Sequence, residues 1–138
     1  MQTYKPLYKV PVVATADVEA FRFVKLAGAK AGAGEKAIGI SDYQFLNGET
    51  GSVVALGTCL LTLGGTVTKG DKLKSDANGK GVVATNVAVA VPAGATPVTS
   101  TGAQPTLTVS GGVLPEAVNA IALTDGVSGD VIEVFLIH

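Results

Sequence analysis

Short apolar runs broken by glycine- and proline-bearing corners recur along the whole chain, and no long stretch sustains a 3.6-residue apolar period. The clearest run is Leu61 to Val82. It alternates brief apolar segments with three turn signals, Gly64-Gly65, Lys69-Gly70-Asp71 and Asp76-Ala77-Asn78-Gly79. This predicts a tight β-meander whose corners need residues able to take φ > 0. Ahead of it, Ala20 to Leu26 sets Phe21, Phe23 and Val24 against Arg22 and Lys25, which predicts a half-buried strand. Ala27 to Gly34 is a small-residue loop, and Lys36 to Asp42 a further strand. In residues 1–18, Tyr4, Tyr8, Val10, Val12 and Val13 are punctuated by Pro6 and Pro11. Two prolines so close prevent a helix and disfavour a central strand, so this segment is expected as an extended arm or an edge strand. A short turn at Pro115 to Asn119 is the one place where a helix is expected.

The pattern contains a weak internal repeat. Ala37-Ile38-Gly39-Ile40-Ser41-Asp42 followed by Gly51-Ser52-Val53-Val54 is echoed by Ala120-Ile121-Ala122-Leu123-Thr124-Asp125 followed by Gly129-Asp130-Val131-Ile132. In both, a strand ends at an Asp and a second begins after a Gly, so one hairpin is expected twice. Between the copies, Val82 to Pro115 holds no Asp, Glu, Lys, Arg or His in 34 residues. Disordered linkers of that length carry charge, so part of this segment is expected to be covered by another molecule.

The expected architecture is all-β: a small single-domain β-barrel or meander spanning 1–138. Residues 1–18 form the arm, 19–82 with 117–138 the barrel core, and 83–116 an uncharged insertion. With 138 residues but few aromatics and no Trp, the core must be built from Val, Leu, Ile and Ala.

Charge excludes several functions. The net charge of −1 provides no field to attract nucleic acid or an anionic membrane. Residues 1–80 hold ten Lys/Arg against seven Asp/Glu, a balance of +3, and residues 81–138 hold four acids and no base, a balance of −4. In a barrel that interleaves the halves, this asymmetry has no consequence. The single cysteine, Cys59, rules out an intrachain disulfide or a thiolate cluster and suits a reducing cytoplasm. No signal peptide is expected from the opening residues, nor a membrane span from any apolar run.

Candidate chemistry fails residue by residue. Gly32-Ala33-Gly34-Glu35-Lys36-Ala37 fits a loosened dinucleotide pattern, but Ile38-Gly39-Ile40 after it reads as a strand where a helix is required. The sole histidine, His138, is the last residue, which leaves no base for a nucleophile triad. Asp71 with Asp76 and Asp125 with Asp130 sit in turns, where Asp caps its own backbone. No catalytic, cofactor or metal residue is expected, and the chain is not expected to be an enzyme.

The chain resembles the small capsid decoration, or cement, proteins of tailed bacteriophages, a group filed as a domain of unknown function and sometimes mislabelled as a recombinase. The resemblance lies in Phe21-Arg22-Phe23-Val24-Lys25, Ala37-Ile38-Gly39-Ile40 and Gly48-Glu49-Thr50-Gly51-Ser52-Val53. It continues in Gly64-Gly65-Thr66-Val67-Thr68-Lys69-Gly70-Asp71-Lys72-Leu73, Asp76 and Gly79, and in Ala120-Ile121-Ala122-Leu123 with Gly129-Asp130-Val131-Ile132-Glu133-Val134. It covers residues 18–82 and 117–137; the neutral insertion departs from the shorter relatives.

The resemblance implies a β-barrel on the outer surface of an icosahedral head, made in the host cytoplasm. It would act as a homotrimer that bridges neighbouring major capsid proteins. On that basis Tyr4, Pro6, Tyr8, Val10 and Val12 of the arm are the candidates for capsid contact. Val89, Val91, Pro92, Pro97 and Leu107 are those for self-association. The competing reading is a host-surface or carbohydrate-binding module displayed on a virion or fibre, for which three tyrosines and no Trp are a poor stacking platform.

Overall fold

A computed structural model describes residues 5–85 and 117–138. The insertion expected at 83–116 therefore lies almost wholly outside the described residues, as do Tyr4 and all five self-association candidates. Eight strands run in chain order: β1 (Pro6–Val13), β2 (Phe23–Val24), β3 (Gly39–Ser41), β4 (Thr50–Thr62), β5 (Lys72–Ser75), β6 (Gly81–Val83), β7 (Ala120–Ala122) and β8 (Val131–Leu136). No helix occurs among the described residues, and Ala117 to Asn119 leads into β7 without helical structure.

The strands form one antiparallel sheet in the order β2-β3-β4-β8-β7-β5-β6, with β1 paired to β4. The sheet is nearly closed into a barrel. Gly81 meets Leu63 in a parallel bridge, and the Gly64 N–H donates to the Gly81 carbonyl at 2.9 Å. On the other side, the Phe23 N–H donates to the Gly79 carbonyl at 2.7 Å. The meander expected over 61–82 is only partly realised. β5 and β6 form a hairpin, but β4 pairs with β8 and not with β5. The strand expected over 20–26 shrinks to Phe23–Val24, because Phe21 lies in a tight turn at φ +61°.

The repeat is more extensive than one hairpin. Four loops share one construction. Val18 and Phe45 exchange backbone hydrogen bonds at 2.9 and 3.0 Å, and Val67 and Gly126 do the same at 2.8 and 3.0 Å. Around the first pair, Ala14 donates to Glu49 O and accepts from Gly48. Around the second, Leu63 donates to Asp130 O and accepts from Gly129. The strands follow in register: Phe23↔Ile40↔Val54↔Lys9 corresponds to Lys72↔Ile121↔Phe135↔Thr58. The chain is thus two copies of a four-strand unit, β1-β2-β3-β4 and β4-β5-β7-β8, sharing β4. The sequence echo was real but misaligned: Ile40, and not Ile38, corresponds to Ile121.

Each loop turns on a left-handed residue. Gly48, Gly70 and Gly129 have φ of 89°, 93° and 91°, and the acid that follows each one accepts the N–H three residues back. Phe21 occupies the same place in the first loop. It is the single non-glycine residue with positive φ among those described.

Two cores result. The barrel core packs Phe23, Ile40 and Val54 from the first unit against Cys59, Leu61, Leu73, Val134 and Leu136 from the second. A smaller core joins Val12, Ala14, Val18, Val24, Phe45 and Val53. Val54 and then Cys59 and Leu61 all face the barrel, so the alternation of β4 slips by one residue between them. Gly57, at φ +99°, supplies the slip, and the β1 register shifts beside it.

Candidate functional site

Residues 6–13 prove to be a strand, hydrogen-bonded along β4 and seated on the smaller core. Of the arm candidates, Val12 is buried, Val10 packs against that core, Pro6 is half-buried and Tyr8 is exposed. The residues brought together at the surface are Leu7, 78% exposed, Tyr8, and Leu56, which stands opposite Tyr8 on β4. They surround the Gly57 slip. A methyl at Gly57 would collide with the Lys5 carbonyl and approach the Leu7 nitrogen to 2.9 Å, so the close seating of this segment requires glycine. Leu7 and Leu56 were not among the sequence candidates. Leu7 adjoins Tyr8 in the chain, but the place of Leu56 depends on the β1–β4 register.

The outer edge of β1 is poorly suited to receive another strand. The Ser52 N–H points away from β1 to the Tyr43 hydroxyl at 3.1 Å, and Ser52 stands opposite Pro11. Pro11 therefore turns its nitrogen, which bears no hydrogen, to the free edge. Beyond it, Gly28 closes on Val13, and its carbonyl accepts the Thr15 N–H at 3.0 Å. What β1 offers a partner is side chains.

A second apolar surface lies on the convex side of β4, β8 and β7. β8 buries Ile132, Val134 and Leu136 and turns Val131, Glu133 and Phe135 outward, with Val131 and Phe135 nearly half exposed. Leu60 opposes Glu133, and Ile121 opposes Phe135.

The acidic residues act as turn caps. Asp71 accepts from Thr68 N–H at 2.9 Å, Asp130 from Val127 at 3.0 Å, Asp125 from Lys69 at 2.7 Å, and Asp76 from Asn78 and Lys80 at 2.7 and 2.9 Å. The glycine-rich Gly32-Ala33-Gly34 loop is closed by its own anion: Glu35 Oε2 accepts the Gly32 N–H at 2.7 Å. That bond, followed by Lys25, holds the Glu35 carboxyl below its usual range. Glu19 is likewise lowered, first by its hydrogen bond to Lys30. The Cys59 thiol is buried in the barrel and pushed up to about 12, chiefly by desolvation. The His138 ring nitrogen meets the Ala55 carbonyl. Among the described residues, no three His, Cys, Asp or Glu come together as a metal site. The arrangement offers contact surfaces and self-satisfied turns.

The profile of the phage cement protein family matches residues 1–111, and the chain belongs to that family. It is therefore a structural protein of a phage virion, associated with the capsid. The match runs on into the uncharged segment. The fold is similar to that of the N base of the head fibre gp8.5 of bacteriophage phi29. The TM-score is 0.63 at 14% identity, over 94% of this chain and 93% of that one. No curated protein sequence matches the chain.

Proposed function

We propose that this protein binds the outer surface of a phage head and stabilises it without bond chemistry, bridging neighbouring major capsid proteins as a homotrimer. The observation that carries this reading is the exposed cluster of Leu7, Tyr8 and Leu56 on a chain that belongs to a cement family. A large exposed apolar group beside a rigid backbone corner is a suitable anchor, since Tyr adds contact area with little rotamer entropy to lose. Each trimer gains by engaging several capsid subunits together, so a modest contact per copy suffices. Within the arm we assign capsid contact to Tyr8 with Leu7, and Val10 and Val12 act by holding the strand in place. Contact between copies is assigned to the uncharged segment with Val89, Val91, Pro92, Pro97 and Leu107.

The test is cosedimentation with heads genetically lacking this protein, counting bound copies. Saturation at three copies per three-fold position is expected. Replacing Leu7 by Ser and Tyr8 by Ala should weaken binding by about tenfold or more while the thermal midpoint stays near that of the parent. Absence of binding by the parent protein would overturn the reading and favour a host-surface module.

A further inference from the structure

The two units of the fold close the same gap with connections of very different length. In the first unit the Ala31 N–H donates to the Phe23 carbonyl and the Ile38 N–H to the Val24 carbonyl, each at 2.8 Å. In the second the Ala84 N–H donates to the Lys72 carbonyl at 2.8 Å and the Asn119 N–H to the Leu73 carbonyl at 2.9 Å. Phe23 corresponds to Lys72, so Ala31 corresponds to Ala84 and Ile38 to Asn119. The hairpins agree, since Val24 bridges Lys30 and Leu73 pairs with Val83. In both units the chain must therefore pass from one flank of a strand to the other, a span of about 10 Å. The first unit crosses it with the six residues 32–37, and the second takes the thirty-four residues 85–118. Among the described residues, the eight strands and both cores are built from 6–83 and 120–136.

We infer that residues 85–116 are a module set into a barrel that is complete without them, so that the chain carries two functions on separable parts. The barrel, with Leu7, Tyr8 and Leu56, holds the capsid contact, and the module holds the contact between copies; this division rests on the function proposed above. Six extended residues reach about 20 Å, twice the span, so closure of the second unit needs no more chain than its sister uses. A longer loop also costs more entropy to close, so the additional residues bring the barrel no stability through its connection. Yet the match to the family profile runs on to residue 111, well into this connection. A segment that the barrel does not need and the profile still spans has a task of its own. The limits of the module are marked by bonds to the barrel. Ala84 ties down the departing chain. On the return, the Ala117 N–H donates to the Gly34 carbonyl at 3.0 Å. The Asn119 side chain then accepts the Ala37 N–H at 3.1 Å and donates to the Glu35 carbonyl at 3.0 Å.

The test is a chain in which residues 85–116 are replaced by Gly-Ala-Gly-Glu, the sequence of residues 32–35, so that Ala84 and Ala117 are joined as Ala31 and Lys36 are. Its urea midpoint should be no lower than the parent's, read by labelling of the buried Cys59 thiol, which belongs to the barrel core. A second chain with about eight Gly and Ser residues at the same place removes any effect of the joining sequence. Failure of both to fold, or a lower midpoint in both, would overturn the inference. With heads lacking this protein, the excised chain should bind at saturation in the same number as the parent. Half-saturation should move to a concentration about tenfold or more higher, because avidity is lost. Binding by the parent alone would place capsid contact in the module, and an unshifted half-saturation would place the contact between copies in the barrel; either result overturns the division. A parent that binds no heads refutes the capsid reading instead, and the urea result still decides whether the barrel is complete.

Discussion

Phe45 and Gly51 form the test of the smaller core, because one substitution empties the space that the other lacks. Phe45 is 1% exposed, and a methyl group added at Gly51 would overlap its ring. Phe45→Ala removes a fully buried ring and should cost about 3–5 kcal/mol. Loss of the edge-on contact with Tyr43, at 6.0 Å between centroids, contributes to the upper end. At about 0.05–0.15 kcal/mol per residue, a chain of this size has about 7–20 kcal/mol of stability, so the variant should remain folded with a lower midpoint. Gly51→Ala alone should cost about 1–3 kcal/mol by overpacking, since its backbone is not left-handed. In the double variant the alanine methyl enters space vacated by the ring. The combined loss should then fall short of the sum by about 1 kcal/mol or more. Urea denaturation with a common m-value measures all three, and hydrogen exchange should show β1 losing protection first. Additive losses, or a Phe45→Ala cost below about 1 kcal/mol, would refute this account of the core.

Other expectations follow from single features. Gly57→Ala should cost more than about 2 kcal/mol, combining left-handed strain with collision against Lys5. Gly70→Ala, with open space around it, should cost only the conformational part, about 1–2 kcal/mol; equal losses in urea titrations would contradict the steric argument. Glu19 and Glu35 have folded pKa values lowered from 4.5, so their contribution is present above that value and lost as pH falls through the lower folded values. Denaturation midpoints should therefore fall between about pH 5 and 3. The Glu19→Gln, Glu35→Gln variant should show a shallower fall, and an unchanged slope would count against the linkage. Cys59 should resist a thiol reagent at pH 8 in the native protein and react fully in guanidinium; rapid native labelling would show that the barrel opens there.

Much of the local structure was legible because turns write themselves in residue type. The glycine and acid of Lys69-Gly70-Asp71 and Ser128-Gly129-Asp130 announce their corners, and the prolines of residues 6–11 announce an edge. Pairing across the sheet was not legible. β4 and β5 adjoin in sequence, yet the hydrogen bonds of β4 go to β8, a choice made by closure of the barrel. The duplication was half visible for a similar reason. Phe45 corresponds to Gly126 and Phe21 to Gly70, so the copies share backbone bonds and burial more than identity. Phe45 fills the inner face of its own unit. Gly126 leaves room for Leu63 and Ile132, and the barrel core forms over that second face. Of the arm candidates, only the register of β1 on β4 could separate Tyr8, at the surface, from Val12, in the core.

β4 belongs to both units, and that gives the molecule its mechanical character. Where most duplicated proteins join their halves by a loop that can bend, here thirteen residues of continuous strand cross from one half to the other. There is no hinge at the crossing, because pairing with β1 ends at Gly57 and pairing with β8 begins at Thr58, whose N–H also donates to the Lys5 carbonyl. A strain applied at Leu7 and Tyr8 passes along the strand itself into the barrel. For a member of the phage cement protein family, this is the behaviour of a strut: deformation of one end is resisted by the whole.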